Sequence, residues 1–400
     1  MRINVTEKHL AVARDLVRET HEHGGLAPVD LDRFWADQAL AGADPFGRNI
    51  PQVPMATYCN WECVFEEMGI PQDWKRWNDD PQWRLELSRA YNVKAEKIVG
   101  RKLLDETPPA PAGPAWPAVK ELHDIFEMEN RWDDISQSWW WHQAASTQTE
   151  LAALLDRVEK RLENLREFLL PPTWDSCRQK LLAAGIKPPL YRGQRGPVTL
   201  ACSMLGVENL IFLILDNPAL AARLRDVMLR AMIEKGRVQD EEAGFTPATA
   251  PHGFGFADDN CMMLTAEMYE FFALPIVQGI WARYSPEPAD GRYQHSDSAM
   301  GHIVPVLARC NMTGVNFGPT VMVDHIRRHM PTTVIHGQLA PFTFSRNDEM
   351  GIVAEFLRDY ELIADTRGLL FATAGSINNG SRLTGMRLIM SAIQRYGRYA

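Results

Sequence analysis

From residue 196 to the C-terminus the chain alternates short strand-like stretches with helices, and polar side chains gather where the strands end. The pattern predicts strands over 196–201, 253–257, 314–318, 332–335 and 369–372. Helices are expected over 173–184, 218–243, 265–283, 303–310, 323–329, 348–366 and 385–396. Repeated strand–helix units bury strands under helices and argue for a parallel sheet, either closed as a barrel or open and doubly wound. No Gly-x-Gly-x-x-Gly follows a strand and no Walker loop is present. That makes a nucleotide-binding open sheet a poorer expectation than a barrel. A chain of 400 residues, 46% of them hydrophobic, can fill such a core.

Upstream, residues 1–45 read as an N-terminal helical extension, with the barrel occupying 46–400. Residues 49–58 look like a strand entered through Pro51 and Pro54. Residues 61–99 turn helical, with breaks near 69–71 and 80–81. The proline-rich stretch 107–118 is expected to be an extended, exposed excursion. In 147–170, Leu151, Leu154, Leu155, Val158, Leu162, Leu165 and Leu169 fall at helical spacing, and Pro171 ends the run. Thr265 is expected to cap a helix, with Glu267 completing a capping box.

A net charge of −9, with Lys and Arg spread evenly, offers no basic face for nucleic acid or anionic lipid. Of six cysteines only Cys59 and Cys63 lie close together, and no second pair completes a four-thiolate zinc site. Scattered thiols suit a reducing cytoplasm. The first residues are charged and lack an apolar signal core, and the run 210–215 is too short to span a bilayer. A soluble cytoplasmic protein is expected. Among twelve tryptophans, the run Trp139-Trp140-Trp141 could line an apolar pocket or an interface, although ordinary packing explains it as well.

Three strand ends carry ligand-type side chains: Asp258-Asp259-Asn260-Cys261, His295-Ser296-Asp297 and His336-Gly337-Gln338. Two residues apart on a strand, His295 and Asp297 point the same way. Imidazole and carboxylate together can hold a divalent ion with a third ligand from another strand, or run acid–base chemistry. By spacing alone, a helix cap at Asp297 and a hydrogen-bonded His295 explain the pair better. The adjacent Asp258 and Asp259 are expected to divide, one pointing inward and one into the loop. His336 reads as a core histidine about as readily as a ligand. Cys261 could ligate a metal, and a small buried residue is the plainer reading. His302, His325 and His329 fall on expected helices and read as structural.

The order of segments resembles the uroporphyrinogen decarboxylase superfamily over 196–399. The segments that carry the likeness are Gly196-Pro197-Val198-Thr199, the Asp258-Asp259 strand end with the helix running from Thr265 to Pro275, and His295-Ser296-Asp297. Val334 to Pro341 and Phe371 to Ile377 complete the series, and Ile50–Tyr58 stands where a first strand belongs. The resemblance implies a (β/α)8 barrel. It also implies either porphyrinogen decarboxylation or zinc-dependent methyl transfer involving corrinoid proteins or thiols. The decarboxylases carry an Arg pair after the first strand and Gly-His-Gly at the last. Here those places hold Tyr58-Cys59-Asn60-Trp61-Glu62 and Ala374-Gly375-Ser376. Porphyrinogen decarboxylation is therefore rejected.

The methyltransferases bind zinc through His-x-Cys and a Cys on the last strand. This chain keeps His295, has Asp297 in place of the first Cys, and has Gly375 near the second. Fewer thiolates make a harder centre, better matched to oxygen donors. The expected catalytic residues are Asp258, Asp259 and His295. The expected metal ligands are His295, Asp297, His336 and Cys261, with zinc as the metal. Tyr58, Asn60, Gln338 and Trp140 are expected to contact substrate. The leading expectation is O-demethylation of a small substrate, an aromatic one among the candidates, with transfer to a corrinoid partner protein. Alternatives are a metal-assisted lyase, hydrolase or decarboxylase acting on a small acid, and a barrel that binds a ligand without turnover. A homodimer is expected.

Overall fold

The computed structural model describes residues 4–109, 116–188 and 192–399. Residues 110–115 of the proline-rich stretch lie outside the described residues. Six strands form one sheet in chain order: β3 (Gln194–Arg195), β4 (Phe254–Ala257), β5 (Arg292–Ser296), β6 (Gly314–Phe317), β7 (Val334–Leu339) and β8 (Leu369–Thr373). A separate antiparallel hairpin joins β1 (Glu129–Asp133) to β2 (Ser138–His142). By its contacts the chain divides into two compact units, one of 1–109, 296–301 and 314–400, the other of 110–295 and 302–313.

In the second unit β3, β4 and β5 run parallel in register, with Arg195 beside Ala257 and Ala257 beside His295. Alternation sends Phe254 and Phe256 to the opposite face. There Phe254 stacks on Tyr284 and Phe256 packs on Trp281, both from the helix Leu274–Tyr284. The helix Pro218–Glu242 starts cleanly, because Asn217 accepts the N–H of Leu220 and Pro218 occupies the first turn. Its buried Ala221, Leu224, Met228 and Ala231 stripe faces the rest of the unit. Gly236 lets Tyr284 approach until its hydroxyl donates to the Ile233 carbonyl at 2.8 Å.

Several expectations are corrected here. Residues 196–201 are not a strand: after the two-residue β3, a helix runs Pro197–Leu205. Proline fits a first helical turn, and the Thr199 N–H is capped from β4 by Asp258. The amphipathic helix stops at Leu162 and resumes as Leu165–Leu169. Thr265 does cap its helix through the Met268 N–H, but Met268 holds the third helical position, so Glu267 completes no box. The hairpin was not anticipated. It is closed by Gln137 in a left-handed conformation and by edge-on contact of Trp132 with Trp139.

In the first unit, helices Glu7–Glu22 and Leu31–Ala43 occupy the N-terminus. The first packs on the helix Glu349–Ile363, buries Ala13, Leu16 and Val17, and places His9 Nε2 2.5 Å from Glu361. The expected strand 49–58 is reduced to two isolated bridges, Gln52 antiparallel to Arg398 and Met55 parallel to Phe371 on β8. Pro51 and Pro54 have no N–H to give to a ladder. Gln38 takes both backbone groups of Met55, accepting its N–H at 2.8 Å and donating to its carbonyl at 2.7 Å. Among the described residues no single helix is long and apolar enough to cross a membrane.

Candidate functional site

The two acids after β4 divide as the alternation predicts. Asp258 is fully buried, and its Oδ1 accepts the Thr199 N–H at 2.7 Å. Its Oδ2 is buried, with no hydrogen-bond partner among the described residues. Burial pushes this carboxyl up to about 6, against the pull of the Thr199 hydrogen bonds. Gly196 makes the arrangement possible: a Cβ there would stand closer than 3.0 Å to the Asp258 side chain. The folded state thus holds the Asp258 proton more tightly than the unfolded chain, whose ordinary value is 3.8. This contribution to stability is greatest below about pH 4 and is lost as pH rises to about 6, a change of about 3 kcal/mol. Urea unfolding of metal-free protein from pH 4 to 7 should show a slope in Asp258→Asn that is shallower than in the wild type by that amount, the remainder coming from other buried carboxyls such as Asp359. Equal slopes would refute the assignment.

Asp259 opens the short turn Asp259–Met263 and is half-buried. The Asp258 N–H donates to the His295 carbonyl at 2.9 Å, which fixes this turn against the end of β5. Asp259, His295 and Asp297 form one group, each offering a ligand atom within 4.8 Å of the others. The Ser376 N–H donates to Asp297 Oδ1 at 3.0 Å. Gly375, at φ +101°, lies against the same carboxylate, and a Cβ on it would fall closer than 3.0 Å to Oδ1. One imidazole nitrogen and two carboxylates are a donor set suited to a divalent transition ion such as zinc. The residues present therefore fit a metal.

The group does not include Cys261 or His336. Cys261 is fully buried in the Asp259–Met263 turn. His336 lies inside β7, which runs past it to Leu339 rather than ending there, and burial lowers its imidazole's affinity for a proton. Gln338 is wholly buried and donates to the carbonyls of Gly318 and Val321, tying down the segment after β6. Tyr58 stacks on Trp35 at 6.4 Å. Asn60 begins the turn Trp61–Cys63 with its Oδ1 buried. Trp140 is 52% exposed, and its indole donates to Ser136.

His295 also lines a cavity of about 580 Å³ within the second unit. Its wall includes Arg195, Trp141, Tyr293, His123 and Lys235. Arg195, Ala257 and His295 are register partners, so all three point to one face, and the small Ala257 leaves space between the other two. The Arg195 guanidinium lies over the Trp141 ring at 4.2 Å, and His123 stacks on Trp141 at 5.3 Å. Lys235, 2% exposed, pairs with Glu121 at 2.7 Å. Sequence reasoning missed Arg195 and chose Trp140 over Trp141. No local signal separates the two until the strand Ser138–His142 is known, because adjacent strand residues face opposite ways.

Residues 152–396 match the family described as uroporphyrinogen decarboxylase (URO-D). The chain belongs to the uroporphyrinogen decarboxylase family. The matched span includes Asp258, Asp259, His295, Asp297 and Gly375. Among solved structures, a methyltransferase from Methanosarcina mazei is similar with a TM-score of 0.52 and 17% sequence identity, over 89% of this chain and 96% of that one. At that identity the likeness carries the fold, the TIM barrel of the URO-D family, to which the parallel sheet β3–β8 belongs. No curated protein matches the chain.

Proposed function

We propose that this URO-D family member is a metal-dependent methyltransferase-like enzyme. It would take a methyl group from the oxygen of a small aromatic ether and pass it to a corrinoid protein. The observation that carries the reading is the Asp259, His295 and Asp297 donor set, in which no thiolate takes part. The barrel likeness to a solved methyltransferase supports it. Zinc held there would supply Lewis acidity toward the departing oxygen. Asp259, His295 and Asp297 would hold the ion, and Asp258 fixes the turn that presents Asp259. In the transfer the methyl–oxygen bond breaks, and its electron pair stays on oxygen, which takes up a proton. The methyl carbon bonds to the reduced cobalt of the corrinoid acceptor. The aromatic wall of Trp141 and Tyr293 excludes water from the ring of the substrate.

The test is methyl transfer from methoxy-aromatic compounds to cob(I)alamin by the zinc-loaded protein, followed by the absorbance of methylcobalamin and by the demethylated product. Product formation above the chelator-treated control is expected, and its absence across a panel of ethers would sink the proposal. A cation in the cavity, Arg195, favours a second reading, a metal-assisted decarboxylase or lyase acting on a small acid. That reading predicts turnover with no corrinoid present.

A further inference from the structure

We propose that Arg195 is the anchor for a carboxylate on the substrate, and that the cavity therefore takes one-ring aromatic acids. The inference rests on the functional reading above only for what happens at the far end of the ligand. The binding argument is independent of it.

Arg195 stands half-buried at the end of β3 on the cavity wall. Among the described residues no carboxylate lies within ion-pair distance of it, and its side-chain hydrogen bond is a long one, 3.5 Å to Ser203 Oγ. Burial pulls its guanidinium below the ordinary value, and the charge of Asp259 offsets only part of this. Such a cation gains from an anionic ligand. The neighbouring cation Lys235 is already neutralised by Glu121, which leaves Arg195 as the cavity's specific anion site.

Packing has also fixed its orientation. With one face of the guanidinium over Trp141, its N–H edge is held as a planar fork. That geometry meets the two oxygens of a carboxylate better than a mobile ammonium does. Next to the fork, Trp141, His123 and Tyr293 supply flat apolar surface for a ring. His295 lies two strands from Arg195 across Ala257, a separation of roughly 10 Å at ordinary strand spacing. A benzene ring with a carboxylate at one end and a reacting substituent at the other spans much of that distance. The volume of about 580 Å³ accepts one such ring.

The test is calorimetric titration of the full-length, metal-free protein, so that the metal centre and methyl transfer do not enter. The probes are 3-methoxybenzoate, its methyl ester and methoxybenzene. The free acid should bind at least about tenfold more tightly than either neutral probe, the range for a charge-assisted, bidentate contact. Arg195→Met should erase that preference, and Arg195→Lys should keep part of it. Circular dichroism checks that the variants fold. Should Arg195→Met fail to fold, the acid-to-ester ratio in the wild type decides alone. Equal affinity for acid and ester, or an unchanged preference in folded Arg195→Met, overturns the proposal. Tight acid binding without methyl release would count against the methyltransferase reading alone. Methyl release from neutral ethers with no preference for acids would count against this inference alone.

Discussion

Replacing His295 with alanine should strip the protein of tightly bound divalent metal. The imidazole is the only nitrogen donor in the group it forms with Asp259 and Asp297. Two carboxylates left alone favour hard ions held weakly, in exchange with water. Removal of an outer-shell partner typically lowers metal affinity about 10–100-fold, and loss of a direct ligand should exceed that. The measurement is metal content after dialysis against limiting zinc, with affinity taken from competition against a chromogenic chelator. His336→Ala and Cys261→Ala are the informative companions, since neither residue belongs to the group, and both should retain stoichiometric zinc. If His336→Ala lost metal as completely as His295→Ala, the ligand set would have to be redrawn. Methyl transfer should fall with metal content in the same series.

The second large effect is expected at Gly196. Its N–H donates to the Ala257 carbonyl at 2.6 Å, and the Asp258 side chain occupies the space a Cβ would need. Gly196→Ala must separate the end of β4 from the start of the helix Pro197–Leu205, which also costs the cap at Thr199. A destabilisation of about 3 kcal/mol or more is expected, with a fall in Tm of roughly 4 °C for a chain of this size. Gly301→Ala is the control, because its Cβ would meet open space, and it should stay within about 0.5 kcal/mol of wild type. Thermal unfolding followed by circular dichroism distinguishes the two. Equal melting temperatures would show that the junction yields more easily than its packing implies.

The sequence displayed the parts of this protein whose signals are local or periodic. Asn217-Pro218 announces the start of the helix to Glu242, whereas the spacing of His295 and Asp297 alone points to a cap and a hydrogen bond, and only the fold brings Asp259 beside them. The signals that failed were overruled at long range. Val198, Thr199 and Leu200 favour a strand by propensity, yet they are helical because Asp258, far along the chain, caps them. His336 looked like a strand end because Gly337 follows it, whereas β7 continues to Leu339. Arg195 drew no notice, since nothing in its neighbours reveals that Trp141 lies beneath it or that His295 shares its row. That information exists only in the strand register.

The contact between Gly375 and Asp297 makes two distant positions one choice. A side chain at 375 and a carboxylate at 297 claim the same space, so the thiolate pair that the family resemblance implies there cannot be restored one residue at a time. Gly375→Cys alone drives its Cβ into the Asp297 carboxylate. Asp297→Cys alone removes the acceptor of the Ser376 N–H and supplies only one sulfur. Even with Asp297 replaced, a cysteine at 375 has to adopt a φ of +101°, which L side chains rarely take. The choice between sulfur and oxygen donors at positions 297 and 375 is thus made by the two residues together rather than by either alone.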